Sequence, residues 1–548
     1  MWEKGRTVVL VSEESVLHQI TGPDVVWSRV NTAESVIGVQ TPLSWSFWDE
    51  GGELGFRLAY CELGFLPSSA LTIPEAVDTK FTALFFGRAA TNVSAFRAAL
   101  DAMPFAATDA AEESFFASRD ASARERSPRR RRWAASWRLP LAALRLAPRL
   151  ARVRRESANF WSESLARLPE ASLSESVALV EQARERFSQE VAAQIVASTV
   201  ATLFSSRLQA RVGRLEAERG IEGKDLELRL LGGFGEMEEI RVAADLWRVA
   251  RGGQNLGQFL ADHGFRGPAD GELSSHSWRE DAGPIETLVA PYRSLPESKS
   301  PIAAQARRVA DREAAAREVL GELRGIEAVR TQALLALAAH YVPLRVIAKA
   351  AFQQTFDVAR AAARQIGTLH AAAGRLDRAE DVFYLIREEL FEPPEDVRAR
   401  VEARRALRQG YEGWDQPLDF TGMPEPFALQ SAARVLDKSG SLVGLGVSPG
   451  RVEGVARVVL DPSEGELLPG EVLVCATTDP SWSSYFLIAS AVVIDVGGPL
   501  SHGAIVAREL DIPCVINVVD GTRRLQSGDR VCVDGSRGTV EVLAAAEA

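Results

Sequence analysis

The chain contains 548 residues, of which 46% are hydrophobic and 25% are charged, and its formal net charge is −11. This composition predicts a globular protein of about three or four domain-sized pieces and excludes a disordered scaffold. The negative net charge gives no reason to expect nucleic acid as a general partner, because nucleic-acid backbones attract basic surfaces.

Cysteine usage and apolar patterning indicate a cytoplasmic protein. The four cysteines show neither a CxxC spacing nor the regular spacing of a disulfide framework. We therefore expect reduced thiols and no structural zinc. The apolar run at residues 8–11 is too short for a secretory signal. The most apolar longer window, residues 333–352, contains His340, Arg345 and Lys349, so we expect neither a bilayer span nor a membrane partner.

Aromatic residues and turn formers are concentrated near the N-terminus, between positions 27 and 48. We interpret residues 1–105 as an aromatic-rich segment that leads into a helical domain. Within it, Thr41 and Pro42 predict the start of a short helix, because proline is tolerated in the first helical turn.

Residues 106–409 are predicted to form a large, mainly α-helical domain. Apolar residues recur there at helical spacing, and residues 301–389 are rich in alanine. Charged residues on amphipathic helices usually face solvent, and we interpret Arg345 and Lys349 in this way. A basic run at 129–132 is interpreted as a loop or a docking patch rather than a nucleic-acid surface, given the acidic total.

One glycine-rich and charged stretch, residues 259–281, interrupts the helical pattern. Loops of this kind commonly carry functional residues, because a rigid scaffold holds them in place. The alternative is a packed loop in which Arg266 and Glu272 form an ion pair with each other. Both interpretations stay open at this point.

A change in composition separates the helical region from the C-terminal region. Residues 410–441 are rich in proline and glycine, which predicts a hinge linker. Residues 442–548 alternate short apolar runs with turns, which predicts a small β/α domain. Strands are expected there at 455–460, 471–475, 491–496, 514–519, 530–533 and 539–543.

The most informative stretch covers residues 491–516. It opens with a buried-strand pattern, breaks at Gly497 and Gly498, and offers Ser501 as the N-cap of a short helix before a second apolar strand. This order predicts a β-loop-α-β unit with parallel strands. His502 then lies in the first turn of the crossover helix, outside the carboxyl end of a strand.

A histidine at a helix N-terminus has unusual chemistry. The positive end of the helix dipole disfavours imidazolium, so the ring of His502 is expected to be neutral and nucleophilic, and nearby N–H groups can bind phosphate. Gly497 and Gly498 fit this interpretation, because residues without Cβ admit a phosphoryl donor and tolerate positive φ. The alternative is a half-buried histidine that packs beside Ile505 and Val506.

The stretch at 497–509 reads Gly-Gly-Pro-Leu-Ser-His-Gly-Ala-Ile-Val-Ala-Arg-Glu. It resembles the swivelling phosphohistidine domain of the PEP-utilising enzymes, which include pyruvate phosphate dikinase, PEP synthase, enzyme I of the phosphotransferase system and rifampicin phosphotransferase. The resemblance implies an α+β multidomain fold, in which a large, mainly α-helical substrate domain precedes a small β/α swivelling phosphohistidine domain. It also implies that His502 carries the phosphoryl group, with support from the phosphate-loop residues Gly497, Gly498, Ser501, Gly503, Asp479 and Arg508.

Two of these supporting residues have a plainer interpretation as well. Asp479 precedes a proline and is typical of an Asp-Pro turn. Arg508 lies about 240° around an ideal helix from His502. We therefore expect Arg508 to form an ion pair that fixes the helix rather than to contact phosphate.

The charged loop at 259–281 resembles a loop in the helical domain of rifampicin phosphotransferase and PEP-synthase-like proteins. Residues 27–48 resemble the segment that follows the ATP-grasp domain in the same proteins. The resemblance implies a substrate side formed by His263, Arg266, Glu272 and Trp278. His340 is a further candidate for this side, and the sequence does not choose the general base, for which His263 and His340 are both candidates.

The resemblance implies a phosphotransferase component that passes a phosphoryl group from His502 to a small hydroxylated or enolic molecule in the helical domain. The sequence has no GxxxxGK[ST] loop and only thirteen residues after Gly535, so we expect neither a nucleotide site nor a PEP-binding barrel here. Mg²⁺ and ATP are expected on a separate ATP-grasp subunit, as in the split phenylphosphate synthase, with no cofactor or metal on this chain. Two alternatives stay open: a phosphohistidine carrier in a regulatory relay, and a non-catalytic binding protein that retains the fold.

Overall fold

The computed structural model describes residues 16–546, apart from 31, 33–34, 103–128, 220–225, 236, 429–440, 462–466, 499–500 and 519. Helices dominate the described chain up to residue 412, and a domain rich in β-strands follows. The predicted α+β class, with a large helical region before a small β/α domain, is therefore confirmed.

Amphipathic helices pack their apolar faces together to form the larger domain. Its helices are α1 Pro42–Leu63, α2 Val93–Leu100, α3 Arg129–Arg167, α4 Leu173–Arg219, α5 Leu226–Leu230, α6 Glu238–Ala250, α7 Leu256–His263, α8 Gly283–Ser294, α9 Pro301–Gly321, α10 Gly325–Tyr341, α11 Arg345–Ala372 and α12 Val397–Glu412. The most extensive helix pairing joins α4 to α11, and α1 packs on α4.

Helix α1 begins where the sequence predicts. The Thr41 side chain accepts a hydrogen bond from the Ser44 backbone N–H, and Pro42 occupies the first turn. The helix is 22 residues long rather than short, because buried positions recur along it as far as Leu63. It ends at Gly64, whose φ of 80° supplies the left-handed C-cap that residues with a Cβ adopt at a cost.

A small antiparallel sheet joins the N-terminal region to residues beyond the last long helix. Its strands are β1 Val26–Ser28, β2 Thr82–Phe85, β3 Arg88–Asn92 and β5 Asp419–Thr421, in the order β2-β3-β1-β5. Strands β4 Trp414–Asp415 and β6 Phe427–Ala428 form a separate pair beside it.

This arrangement corrects the prediction of a hinge linker over residues 410–441. Helix α12 continues to Glu412, and Trp27 of β1 pairs with Phe420 of β5, so residues 410–428 belong to the larger domain. Proline and glycine there form turns between short paired strands rather than a free connection. The remaining part of the predicted linker, residues 429–440, lies outside the described residues.

The C-terminal domain is organised around one eight-stranded sheet in the order β7-β14-β13-β9-β10-β11-β12-β8. Strands β9 to β12 are parallel to one another. On either side of this group, β13 pairs antiparallel with β9 and β8 pairs antiparallel with β12. The strands are β7 Ser441–Val443, β8 Leu445–Ser448, β9 Arg451–Val458, β10 Val472–Cys475, β11 Ala491–Ile494, β12 Cys514–Ile516, β13 Arg530–Asp534 and β14 Thr539–Ala544. Its helices are α13 Ser483–Phe486, α14 His502–Glu509 and α15 Gly521–Arg524.

All six predicted strands of this domain are confirmed. The sequence pattern missed β7 and β8, which form the two edges of the sheet. Both are short and are separated by Gly444. A Cβ added at this position would lie 2.4 Å from the Ile516 carbonyl oxygen. A short edge strand beside glycine carries little of the apolar alternation that identifies central strands.

Two helical stretches in the described part of the chain are long and apolar enough to cross a membrane: Leu173–Glu218 and Gly325–Ala372. The apolar window of the first is 72% buried within the protein, and that of the second is 33% buried. Packing in a protein core explains the apolar composition of the first stretch without a membrane.

The two domains share one apolar core. Buried residues of the larger domain, such as Trp247 and Tyr292, cluster with Trp482 and Phe486 of the C-terminal domain. The Tyr292 hydroxyl donates to the Ser484 carbonyl oxygen at 2.8 Å across this contact. The C-terminal domain is therefore docked on the larger one, and α14 contacts helices α6 and α9.

Candidate functional site

The unit around His502 has the predicted form. Strands β11 and β12 are parallel neighbours, with Val492 opposite Cys514, and α14 connects them. Ser501 is the N-cap, and its Oγ accepts from the Ala504 backbone N–H at 3.4 Å. The β-loop-α-β unit is therefore confirmed, with His502 as the first residue of α14.

The imidazole of His502 is buried at the domain interface, with 4% exposure. Its Nε2 lies 3.2 Å from Ser483 Oγ, and its Nδ1 has no hydrogen-bond partner among the described residues. Burial lowers the pKa of His502 well below its usual value, and the charges of Lys349, Arg266 and Arg345 lower it further. Burial and the neighbouring cations thus favour the neutral form of the ring.

These three cations all belong to the larger domain. Arg345 begins α11 and Lys349 follows one helical turn later, so the two side chains leave the same face. The predicted solvated role of Arg345 and Lys349 is wrong, because both side chains are half-buried beside the docked domain. Arg266, from the charged loop, is held by Gln353 Oε1 at 3.3 Å and Glu238 Oε1 at 3.4 Å.

Two carboxylates face each other across the same interface. Burial raises the pKa of Asp270, on the charged loop, to about 7, and the charge of Asp479 on the C-terminal domain adds to this. Burial also raises the pKa of Asp479, whose Oδ1 accepts from the Ser481 backbone N–H at 2.7 Å. The negative charge of Asp479 thus disfavours ionisation of Asp270.

Asp270 also lines a narrow cleft in the larger domain. Its wall is formed by polar groups from the loop and α11 and by three aromatic rings: Ser35, Trp48, Asp270, Gly271, Lys349, Phe352, Gln353 and Phe356. Lys349 belongs to this wall, and its charge also acts on His502. The sequence interpretation missed Asp270, although it singled out the loop that contains it.

The glycines of the phosphate loop act mainly through packing. A Cβ at Gly503 would meet Ile494 Cδ1 at 2.4 Å and Thr478 Oγ1 at 2.7 Å, so only glycine lets α14 approach β11 this closely. A Cβ at Gly497 would meet Ser501 Oγ at 3.1 Å. Gly497 does not adopt the positive φ that the sequence interpretation allowed. Gly498 precedes residues 499–500, which lie outside the described residues, and its role stays a prediction.

Glu272 does not pair with Arg266, so that alternative for the loop is wrong. Its carboxylate accepts from the Thr41 N–H at 2.9 Å, the Thr41 hydroxyl at 2.7 Å and the Ser44 hydroxyl at 2.6 Å. These bonds fasten the charged loop to the start of α1. Glu272 therefore positions the loop that carries Asp270, and its role on the substrate side stays a prediction.

The Glu272→Ala variant is expected to lower the free energy of unfolding by about 3 kcal/mol, because it leaves buried donors at Thr41 and Ser44 without acceptors. Thermal unfolding followed by circular dichroism measures this loss. Glu286→Ala, which removes an exposed carboxylate from α8, is the matched control and should unfold close to the wild-type temperature. Equal stability of the two variants would contradict the fastening role.

The two predicted general bases lie away from the cleft wall. His263 is fully buried, and its Nε2 lies 2.8 Å from Asp245 Oδ2. His340 is exposed on α10 and contacts the ring of Tyr341. Trp278 is buried and lines a second, narrow cleft between the domains, together with Tyr485.

Arg508 lies at the far end of α14 and is also buried. Burial lowers its pKa to about 10, while the neighbouring charge of Glu509 stabilises its cationic form. Glu509 in turn accepts from the Gly233 backbone N–H at 2.8 Å, on the larger domain. This end of the helix therefore contributes to docking, and the ion pair expected of Arg508 stays a prediction.

Within the described residues, no group of three or more His, Cys, Asp and Glu side chains is arranged to hold a metal ion. The site instead consists of a neutral histidine, three cations, two carboxylates and an aromatic cleft. This set can hold a covalent phosphoryl group, neutralise its charge and accept a proton.

Comparison with known proteins supports this chemistry. Residues 467–538 match the model of the PEP-utilising enzyme mobile domain. The C-terminal domain is related to these mobile domains. Residues 252–345, which include the charged loop, match the rifampicin phosphotransferase fourth domain. The resemblance seen in the sequence is therefore confirmed for both stretches.

Individual relatives cover parts of the chain. Rifampicin phosphotransferase of Streptomyces sviceus is 43% identical over 180 residues, 32% of this chain and 20% of that protein. The uncharacterized protein Rv2047c of Mycobacterium tuberculosis is 33% identical over 281 residues, 51% of this chain and 30% of that protein. The chain thus spans less than a third of the length of these relatives. A solved structure, aconitase X of Thermococcus kodakaraensis, overlaps 19% of this chain and 98% of that one with a TM-score of 0.17, too low to carry any argument.

Proposed function

We propose that the chain is a phosphotransferase component that receives a phosphoryl group on His502 of the mobile domain. It then passes this group to a small hydroxylated or enolic molecule held in the helical domain. The observation that carries this proposal is the buried imidazole of His502 at the domain interface, on which the charges of Lys349, Arg266 and Arg345 act. Lys349 also lines a cleft of the helical domain. A phosphohistidine carrier in a relay needs no small-molecule cleft, so this arrangement favours direct transfer.

The chemistry assigns separate tasks to these groups. A neutral ring nitrogen of His502 attacks the donor phosphorus, and later leaves as the acceptor oxygen approaches from the opposite side. Phosphoryl transfer passes through a loose transition state, so positioning and charge neutralisation supply most of the acceleration. Lys349, Arg266 and Arg345 are placed to neutralise the phosphoryl oxygens while the mobile domain is docked.

The donor site belongs, in this proposal, to a separate cytoplasmic ATP-grasp subunit that holds Mg²⁺ and ATP. Two observations support it: the sequence lacks a GxxxxGK[ST] loop, and His502 is 4% exposed in the docked position. A donor on another protein can reach this ring only after the mobile domain has moved away from the helical domain.

Removing one cation tests the transfer step. The purified chain is phosphorylated with potassium phosphoramidate, and loss of phosphohistidine to a phenolic acceptor such as catechol is followed by ³¹P NMR. Lys349→Met is expected to slow this transfer by about 100-fold, because a positioned charge that faces the transition state is lost. Lys299→Met, which removes an exposed lysine, is the matched control. Equal rates for Lys349→Met and the wild type would overturn the proposed role of the cleft.

A further inference from the structure

The solvent face of helix α3 has a composition that contrasts with the net charge of −11. Residues 133–155 of this helix contain six arginines and no acidic residue, and four more arginines precede them at 129–132. The same face exposes large apolar side chains, because Trp133 is 72%, Trp137 46% and Leu144 76% exposed. The phosphoryl-transfer site described above uses none of these residues.

Helix geometry places the three exposed side chains on one line, which we call the apolar stripe: Trp133, Trp137 and Leu144. At 100° per residue they fall within about 40° of one another around the helix axis. The buried residues of the same segment, such as Leu139 and Leu146, lie on the opposite side and pack into the core. The apolar stripe is therefore a second apolar face, which the packing of α3 against the described residues does not require.

Arginines surround the apolar stripe. Arg145 and Arg152 are exposed beside it, and Arg155 is exposed at its C-terminal end. Arg152 is paired with Glu156 at 2.7 Å on the same helix. Long arginine side chains can lay their apolar stems along an inserted stripe while the guanidinium groups stay at the polar surface. The face thus has an apolar centre and cationic flanks.

We propose that this face of α3 binds the surface of an anionic lipid membrane, with the apolar stripe among the headgroups and the arginines on lipid phosphates. A helix with tryptophan and leucine on one side and arginines beside them is typical of segments that lie in the membrane interface. Tryptophan rings favour the headgroup level, and guanidinium groups bind phosphate through paired hydrogen bonds. The expectation of no membrane partner came from the apolar window at 333–352, whereas binding to a surface needs no span.

The shape of the stripe favours lipid over a macromolecular partner. The stripe runs about 16 Å along the helix from Trp133 to Leu144, and its side chains stand out from the surface. A stable protein interface covers roughly 800 Å² on each partner, which is more than this narrow line offers. A nucleic-acid surface would present arginines to phosphates at its centre, whereas the centre here is apolar. A fluid headgroup layer accommodates a narrow apolar line without a matching groove.

Flotation of the full chain with lipid vesicles tests the binding. The chain should float with phosphatidylcholine vesicles that contain about 30 mol% phosphatidylglycerol and should not float with phosphatidylcholine alone. The bound fraction should fall at least about tenfold between about 0.1 M and 1 M salt, because the Debye length shortens from about 10 Å to about 3 Å. Absence of binding to the anionic vesicles at low salt would overturn the proposal.

A pair of leucine variants tests whether α3 is the binding face. Leu144→Ser should lower the partition coefficient about tenfold, because a leucine side chain no longer leaves water. Leu460→Ser is the matched control, since Leu460 follows β9 in the C-terminal domain and is 74% exposed, and it should bind like the wild type. Both positions are exposed, so circular dichroism should show unchanged folds. Equal binding by Leu144→Ser and the wild type would overturn the assignment to α3.

Quenching by brominated lipids tests insertion separately from electrostatic attraction. Two of the eleven tryptophans of the chain, Trp133 and Trp137, belong to the apolar stripe. Bound wild-type chain should lose part of its tryptophan fluorescence. The double variant Trp133→Phe/Trp137→Phe keeps apolar rings, so it should still float but should show little quenching. Equal quenching of the two proteins would place another part of the chain in the lipid and contradict the proposal.

Polyanions without lipid separate the alternative partners. Oligouridylate and polyglutamate should bind the chain at least about tenfold more weakly than the anionic vesicles, because neither accepts the apolar stripe. If either binds more tightly than the vesicles, and Arg145→Gln/Arg155→Gln weakens that binding, the face takes nucleic acid or an acidic protein and the membrane assignment is wrong.

Discussion

The His502→Ala variant should form no phosphohistidine at all. The wild-type chain treated with potassium phosphoramidate should acquire one phosphoryl adduct that is stable in base and labile in acid, because a P–N bond hydrolyses when the ring nitrogen is protonated. The variant lacks the nucleophile, so the adduct measured by intact-protein mass spectrometry should fall to background.

Stability should change far less than phosphorylation in this variant. His502 is buried, but its only hydrogen bond among the described residues is the one to Ser483, so its removal is expected to cost about 1–2 kcal/mol. The matched control is His340→Ala, because that histidine is exposed and lies outside the site. An undiminished adduct in His502→Ala, with the fold intact by circular dichroism, would remove His502 from the mechanism.

A reversible cross-link between the two domains should prevent loading of His502. Pro284 of α8 and Ser481 beside α13 line the same interdomain cleft, so cysteines introduced at these two positions can be joined by a short, reducible thiol reagent. The four native cysteines are buried and should react slowly. With the mobile domain held in place, adduct formation should fall about tenfold or more, because His502 becomes reachable only through undocking.

Order of addition separates blocked loading from a damaged site. A double variant that is phosphorylated first and cross-linked afterwards should still transfer its phosphoryl group to catechol, because the docked domain already presents His502 to the cations of the larger domain. Reduction of the cross-link should restore loading, and the two single-cysteine variants should load normally throughout. If the cross-linked protein loads and transfers at the normal rate, domain motion is not part of the mechanism.

The sequence predicts the C-terminal domain far better than the site that the two domains build together. Buried central strands such as β10 and β11 carry uninterrupted apolar runs, and Ser501 before α14 is a local capping signal. The strands and the start of the helix can therefore be recognised in the sequence without knowledge of tertiary contacts. Arg345 and Lys349 carry no such signal. Their amphipathic pattern is identical whether the polar face meets water or a second domain, and only docking distinguishes the two.

The charged loop shows the same limit in finer detail. Its composition marks it as functional, yet it does not indicate that Glu272 binds α1 while Asp270, two residues earlier, faces the cleft. The prediction of a hinge linker is wrong for residues 410–428 for a related reason. Proline and glycine mark chain turns in a linker and in a paired strand alike, and the pairing of Phe420 with Trp27 depends on a partner almost four hundred residues away.

Burial of His502 also has a consequence for the lifetime of an adduct. A phosphoryl group bound to nitrogen is a good electrophile, and in open solution water competes with every other acceptor for it. At 4% exposure the docked ring is almost sealed from bulk solvent, so hydrolysis can proceed mainly during excursions of the domain. The fraction of time spent docked then decides how many phosphoryl groups reach an acceptor for each one lost to water.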